Sequence, residues 1–277
     1  MDASEVADAI GVQLVGKLAH GAGAGAYEVR VDGRRAVLKF DDGNVLDFAF
    51  AAEVVVALHA RGYPAPATIA TGRIGAIQYD VSELVPGEPI GQPAAAHVAP
   101  LVALIDVQRD VGLTGRRPWV EDVVTSLTEG RHGYCELETL RRANPGLLNR
   151  LQRIADERAS VEPATTDVVH FDFSPFNVLG DVDRITGVVD WQGATSGDAA
   201  FDLVTMAYYT HEIALRDSLL DAARARTDSR ALPLYAAHMV LRQVDWSLRH
   251  DDATTVRWFT DLGAALLDVL EAESGSV

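Results

Sequence analysis

The stretch that decides the reading is His170-Phe171-Asp172-Phe173-Ser174-Pro175-Phe176-Asn177-Val178-Leu179. Val168-Val169 before it and Val178-Leu179 at its end read as short strands, so Asp172 and Asn177 stand on a strand-flanked loop. A third oxygen-bearing side chain, Asp190, closes the apolar run Gly187-Val188-Val189 and precedes Trp191. Phosphoryl transfer from a nucleotide needs one carboxylate to orient the attacking hydroxyl and take its proton. It also needs a carboxylate and an amide oxygen to hold Mg²⁺, a hard cation that prefers oxygen ligands. Asp172, Asn177 and Asp190 are of those types. His-x-Asp by itself also fits a metal pair or a hydrogen bond that fixes a loop. The set His-x-Asp-x4-Asn, Gly-x2-Asp-Trp and Gly-Asp-x3-Asp is more restrictive, and all of it lies within the 33 residues from His170 to Asp202.

A second element stands far upstream, at Val37-Leu38-Lys39-Phe40. The chain has 24 basic residues, of which only Lys17 and Lys39 are lysines. Where arginine is so favoured, a lysine centred in an apolar strand suits a compact ammonium set among phosphate oxygens. Glu53, in the apolar helical run Ala51-Ala52-Glu53-Val54-Val55, is the expected partner of that charge. The competing reading has Lys39 snorkelling from an edge strand and Glu53 facing water. A third element, Gly21-Ala22-Gly23-Ala24-Gly25, lets backbone amides approach phosphates. Glycines between strands also simply make hairpins. No Gly-Lys-Ser/Thr follows, which excludes a Walker A loop, and a strand rather than a helix follows, which excludes a Rossmann turn.

Around these elements the sequence reads as two parts. Residues 11–19, 26–32 and 35–40 are expected strands, the last two joined by an Asp32-Gly33 turn. Residues 45–61 are an expected helix stopped at Gly62, and 67–70 and 76–84 are further strands. Residues 1–84 thus read β-β-β-α-β-β. Pro86-Gly87 marks a connector, and the lobe boundary is expected at 84/85. In 85–277, helices are expected over 95–110, 119–130, 136–143, 146–159, 199–210, 213–226, 232–250 and 254–272, around a β-rich interval at 167–190.

Composition limits the partners. The formal net charge is −16, which repels nucleic acid phosphates and favours a cationic small molecule. Residues 1–84 carry 7 Lys+Arg against 11 Asp+Glu, and 85–277 carry 17 against 29, so a cationic partner is expected to meet the second part. No apolar run reaches the roughly 18–20 residues that span a bilayer, so no membrane association is expected. The acidic start, Met1 to Glu5, lacks the basic region of a signal peptide, and Cys135 is the sole cysteine; both suit the cytoplasm. Nothing in the sequence sets an oligomeric state.

In order and spacing these motifs resemble the aminoglycoside phosphotransferase family, relatives of the eukaryotic-type protein kinases. The resemblance spans roughly residues 10–210 and is sharpest over 170–202. It implies an α+β, bilobal, protein-kinase-like fold: a small antiparallel-sheet N-lobe with one helix (1–84) and a larger, mainly helical C-lobe (85–277). The C-lobe would carry a catalytic loop at 170–177 and a metal-binding segment at 187–202. It implies that Asp172 is the catalytic base, that His170 braces its loop, and that Asn177 and Asp190 bind Mg²⁺. Lys39 would contact the phosphates of ATP or GTP and pair with Glu53, under the loop of Gly21, Gly23 and Gly25. Glu83, Leu84 and Val85 would be the hinge that reads the base, and Asp198 and Asp202 the structural support of the loop. The implied activity is transfer of the γ-phosphate to a hydroxyl, and the charge points to a cationic antibiotic. An aminoglycoside and a tuberactinomycin-type peptide such as capreomycin or viomycin both qualify. Glu212, Asp245 and Trp246 are expected substrate contacts. The family also includes kinases of choline, homoserine, methylthioribose and macrolides.

Two departures stand out. Phe171 occupies a position where small residues are common in the family, and Ser174-Pro175-Phe176 is less polar than the family's loop. A protein kinase is disfavoured: Asp190-Trp191-Gln192 replaces Asp-Phe-Gly, and no Ala-Pro-Glu follows. A non-catalytic nucleotide-binding protein on the same fold would usually lack the lysine, the base or a metal ligand. A metal-dependent hydrolase built on His170 and Asp172 would not need Lys39 or Glu53.

Overall fold

A computed structural model of the chain describes residues 1–18, 25–41, 46–114, 119–181 and 184–274. By its contacts the chain divides into two compact units, 1–90 with 176–195, and 91–175 with 196–277. The sequence-based boundary was a single one at 84/85; the division by contacts runs at 90/91 and also gives 176–195 to the first unit.

The first unit is built on a five-stranded antiparallel sheet. Its strands are β1 (Gln13–Lys17), β2 (Tyr27–Val31), β3 (Arg34–Asp41), β4 (Thr68–Ile74) and β5 (Ile77–Glu83), in the order β1-β2-β3-β5-β4. Asp32 and Gly33 both have positive φ, the type I′ geometry whose twist suits the β2–β3 hairpin. The pleat sends alternate residues to opposite faces. Ala36, Leu38, Val29 and Val81 therefore share one face with Val6 and Ala7 of the helix α1 (Ala3–Ile10), and together they form a buried cluster. Lys39 and its cross-strand neighbour Asp80 lie on the other face.

The helix α1 has no counterpart in the sequence-based expectation of β-β-β-α-β-β. Its signal is a capping box: Asp2 accepts from the Ser4 and Glu5 amides, and the Glu5 side chain accepts from the Asp2 amide. The second helix, α2 (Phe48–His59), ends in a glycine stop. Gly62 has φ +80°, its N–H donates to the His59 carbonyl, and the Tyr63 N–H donates to the Leu58 carbonyl. The inserted segment adds β8 (Val178–Gly180), which pairs with both β6 (Glu88–Pro89) and β9 (Ile185–Val188), and then a 3₁₀ turn at Trp191–Gly193.

The second unit is mainly helical among the described residues. It comprises α3 (Ala95–Gln108), α4 (Trp119–Thr128), α5 (Leu137–Ala143), α6 (Pro145–Arg158), α7 (Ala200–Tyr208), α8 (Ile213–Arg224), α9 (Leu232–His250) and α10 (Ala253–Ser274). β7 (Asp167–Val169) pairs with β10 (Thr195–Gly197). The central element is α9, with every residue from Leu232 to Leu241 buried. A helix buried on all sides is a stiff mount for what projects from its exposed end. No helix among the described residues is long and apolar enough to cross a membrane.

Candidate active site

In the first unit the hairpin β8–β9 fixes two of the expected metal ligands. Val178 pairs with Val188, and the Val189 amide donates to the Asn177 carbonyl at 2.9 Å. Asn177 and Asp190 are therefore carried at the same end of one hairpin. Asp190 has φ +73° and ψ 52°, a left-handed conformation that costs a non-glycine residue about 1–2 kcal/mol. The chain turns sharply there into the 3₁₀ turn, which is held by the Trp191 indole donating to the Val188 carbonyl and by an edge-on contact of Trp191 with Tyr63. Asp190 is left with a 45 % exposed side chain that meets the Lys39 ammonium at 2.8 Å. Lys39 also donates to Gln192 Oε1 at 3.3 Å.

The expected pairing of Lys39 with Glu53 is corrected by this geometry. Phe48, Ala51, Val54, Val55 and Leu58 form the buried stripe of α2. At 100° per residue Glu53 lies roughly 160° from the centre of that stripe, and it is exposed. Asp190 is the ion-pair partner of Lys39 among the described residues. A further carboxylate, Asp80, lies cross-strand from Lys39 and is 5 % exposed. Burial pushes its pKa up to about 6, against a Ser82 hydrogen bond and the nearby Lys39 charge.

The expected hinge begins at the last residue of β5. The Glu83 amide donates to the Ala67 carbonyl, and Leu84 and Val85 follow it outside the sheet. A Cβ at Gly187 would meet Val85 Cγ1 at 2.5 Å, so this segment lies directly against β9. Of the glycine loop, Gly25 has φ +87°, while Gly21 and Gly23 lie outside the described residues.

In the second unit the loop carrying Asp172 is held from below by Asp202, in the first turn of α7. Asp202 accepts from the His170 amide at 2.7 Å, from the Phe171 amide at 3.0 Å and from Gln108 Nε2 at 2.7 Å. Burial pushes its pKa up to about 7, while the donated hydrogen bonds and Arg242 act in the opposite direction. Asp198 accepts from the Ala200 amide, the Tyr235 hydroxyl and the Thr227 hydroxyl. It joins the start of α7 to the start of α9. His170 is fully buried, and its Nδ1 accepts from the Asp172 amide at 3.2 Å. Asp172 itself has a side chain 46 % exposed.

Phe171 has φ +73°. Its ring stacks on Phe201 at 5.5 Å and meets Trp119, Tyr134 and His238 edge-on. This aromatic enclosure accounts for a bulky residue at a position where small ones are usual. Sequence reasoning missed Arg242. Its Nη2 donates to Asp172 Oδ1 at 3.0 Å, its Nη1 donates to the Phe171 carbonyl, and its guanidinium carbon lies 4.8 Å from the Phe171 ring centre.

Of the expected substrate contacts, Asp245 is corrected. It is fully buried on α9 and paired with Arg249 at 2.8 Å one turn along, so its charge is not presented to a ligand. Glu212 is exposed just before α8. Trp246 is half-buried and stacks on the His250 ring at 3.9 Å.

Several solved structures share this fold. The apo form of a thermostable mutant of aminoglycoside phosphotransferase APH(4)-Ia is 21 % identical, with a TM-score of 0.70 over 99 % of both chains. A ternary complex of a mutant of that enzyme with ADP and hygromycin B is 19 % identical, with a TM-score of 0.70 over 96 % of this chain and 97 % of that one. A microcompartment-associated aminopropanol kinase is 16 % identical, with a TM-score of 0.68 over 99 % of this chain and 98 % of that one. No curated protein has significant sequence similarity to the chain. The chain thus shares its fold with aminoglycoside phosphotransferases and a small-molecule kinase. The chain belongs to the phosphotransferase enzyme family (APH), whose family model matches residues 15–241.

Proposed function

We propose that the protein transfers the γ-phosphate of ATP or GTP to a hydroxyl of a cationic natural product, inactivating an antibiotic of the aminoglycoside or tuberactinomycin type. The observation that carries this reading is the contact of Lys39 with Asp190 at 2.8 Å. An ammonium on an apolar strand and a carboxylate at the end of a hairpin neutralise each other there. A nucleotide–metal complex offers both groups new partners at once: phosphate oxygens for Lys39, and Mg²⁺ for Asp190 with the Asn177 amide oxygen. The donor set fits Mg²⁺, which prefers hard oxygen ligands and takes one or two side chains alongside phosphate and water. Bound there, Mg²⁺ would neutralise charge developing on the phosphates.

The remaining roles fall to residues of this chain. Asp172 orients the acceptor hydroxyl and accepts its proton, and His170 and Asp202 hold the backbone that carries it. Glu83 to Val85 read the base, and Gly25 gives the phosphates close backbone approach. The excess of acidic residues over 85–277 supports a cationic acceptor, with Glu212 and Trp246 as contacts. A nucleotide donor suits a reaction in the cytoplasm. The likeness to an aminopropanol kinase supports a second reading, a metabolic kinase of a small amino alcohol or a related acceptor such as choline, homoserine or methylthioribose.

The test is a panel of aminoglycosides, capreomycin, viomycin, macrolides and small alcohols, scored for Mg²⁺-dependent ADP or GDP release. Release with a polycationic antibiotic supports the first reading, and release with amino alcohols alone replaces it with the second. In either case Asp172→Ala is expected to lower kcat at least a thousandfold while nucleotide affinity stays within a few-fold. Near-wild-type turnover by that variant would remove Asp172 as the base.

A further inference from the structure

We propose that Arg242 is a positioning residue for Asp172: its guanidinium fork fixes the catalytic carboxylate and the backbone just before it as one rigid piece. This rests on the assignment of Asp172 as the base.

Three observations converge on it. First, the fork grips two consecutive residues, with Nη1 on the Phe171 carbonyl and Nη2 on Asp172 Oδ1 at 3.0 Å. Holding the carbonyl sets the peptide plane, and holding one carboxylate oxygen sets the direction of the other. A planar guanidinium does both together, whereas an ammonium is a point donor without that geometry. Second, Phe171 is held in the left-handed region at φ +73°, a state that persists in a non-glycine residue only where its surroundings over-determine it. Arg242 adds a polar clamp to the aromatic enclosure by lying 4.8 Å from the ring centre. Third, the clamp is itself anchored. Arg242 follows the buried run Leu232–Leu241 of α9, and its side chain is 12 % exposed against 46 % for Asp172. The more exposed partner is thus held by the more buried one.

A purely charge-balancing role is the alternative, since Arg242 also lies near the buried Asp202. A lysine would serve that role as well as an arginine.

The experiment compares Arg242→Lys and Arg242→Gln with the wild type by kinetics and by hydrogen exchange of the peptide spanning 170–174. With both variants folded, kcat is expected to fall at least tenfold for Arg242→Lys and further for Arg242→Gln. KM for nucleotide should stay within twofold, and exchange over 170–174 should rise while α7 and α9 stay protected. Full activity and unchanged exchange in Arg242→Lys would overturn the proposal in favour of charge balance. Should Arg242→Gln fail to fold, the lysine variant decides alone. Failure of the kinase reading is separable: the wild type and Asp172→Ala would then consume nucleotide equally. In that case unchanged exchange over 170–174 in Arg242→Lys would still overturn the clamp, and raised exchange would uphold it.

Discussion

Asp80 occupies a nearly sealed position beside the lysine that is proposed to meet the phosphates. Burial disfavours its charged form and raises its pKa to about 6, from the ordinary 3.8 of an exposed aspartate. Between those values the folded chain keeps a proton that the unfolded chain has lost. The stabilisation is therefore complete below about pH 4 and is lost as pH rises through about 6. Its full size is about 3 kcal/mol, at roughly 1.4 kcal/mol per pH unit. Asp80→Asn should remove this slope. The gap in unfolding free energy between variant and wild type, measured by urea titration, should move in the variant's favour from pH 4 to pH 7. Asp202 contributes a slope of the same sign reaching to about pH 7, but it is common to both proteins and cancels. A gap independent of pH would mean that Asp80 ionises as freely folded as unfolded. At this scale Phe171, the residue before the proposed base, and Asp190, a proposed metal ligand, both adopt φ +73°, while the other non-glycine residues with positive φ among those described, Asp32 and Asp110, lie in turns. Strained backbone concentrates where a site must aim side chains at a ligand.

At the scale of elements, α2 decides whether a helix carboxylate serves the lysine. Its buried stripe of Phe48, Ala51, Val54, Val55 and Leu58 carries no acidic side chain. Glu53→Ala is accordingly expected to leave KM for nucleotide within twofold and stability within about 0.5 kcal/mol, as for ordinary surface positions. A tenfold rise in KM would restore Glu53 to the site. The misplacement shows what a sequence makes legible. The apolar spacing that revealed α2 also carries its phase, and reading that phase would have turned Glu53 outward. The helices α4, α6, α8, α9 and α10 were legible because their apolar faces recur at helical spacing over several turns. In α1 only the pair Asp2 and Glu5 marks the start, and eight residues give little room for a periodic signal. The loop from His170 to Asn177 was legible because its residues are close in sequence. Arg242 was not, because a contact across 70 residues leaves no spacing to recognise and arginine is common throughout this chain. Asp245 was misjudged for a related reason: its burial depends on what packs around α9, which its neighbours in sequence do not reveal.

Across the whole molecule, a net charge of −16 sets up a field that draws cations and is weakened by salt. If the acceptor is polycationic, its KM should rise several-fold between about 20 and 200 mM salt, while kcat at saturating acceptor stays nearly constant. An acceptor KM indifferent to salt would argue for a neutral substrate. The division of the chain into 1–90 with 176–195, and 91–175 with 196–277, has a practical consequence. A gene fragment stopping after Ile90 would encode the five-stranded sheet stripped of the hairpin that supplies Asn177 and Asp190, leaving Lys39 without its counter-ion. Neither half can be excised with a single cut, so dissection of this enzyme calls for grafting residues 176–195 back through a linker rather than for simple truncation.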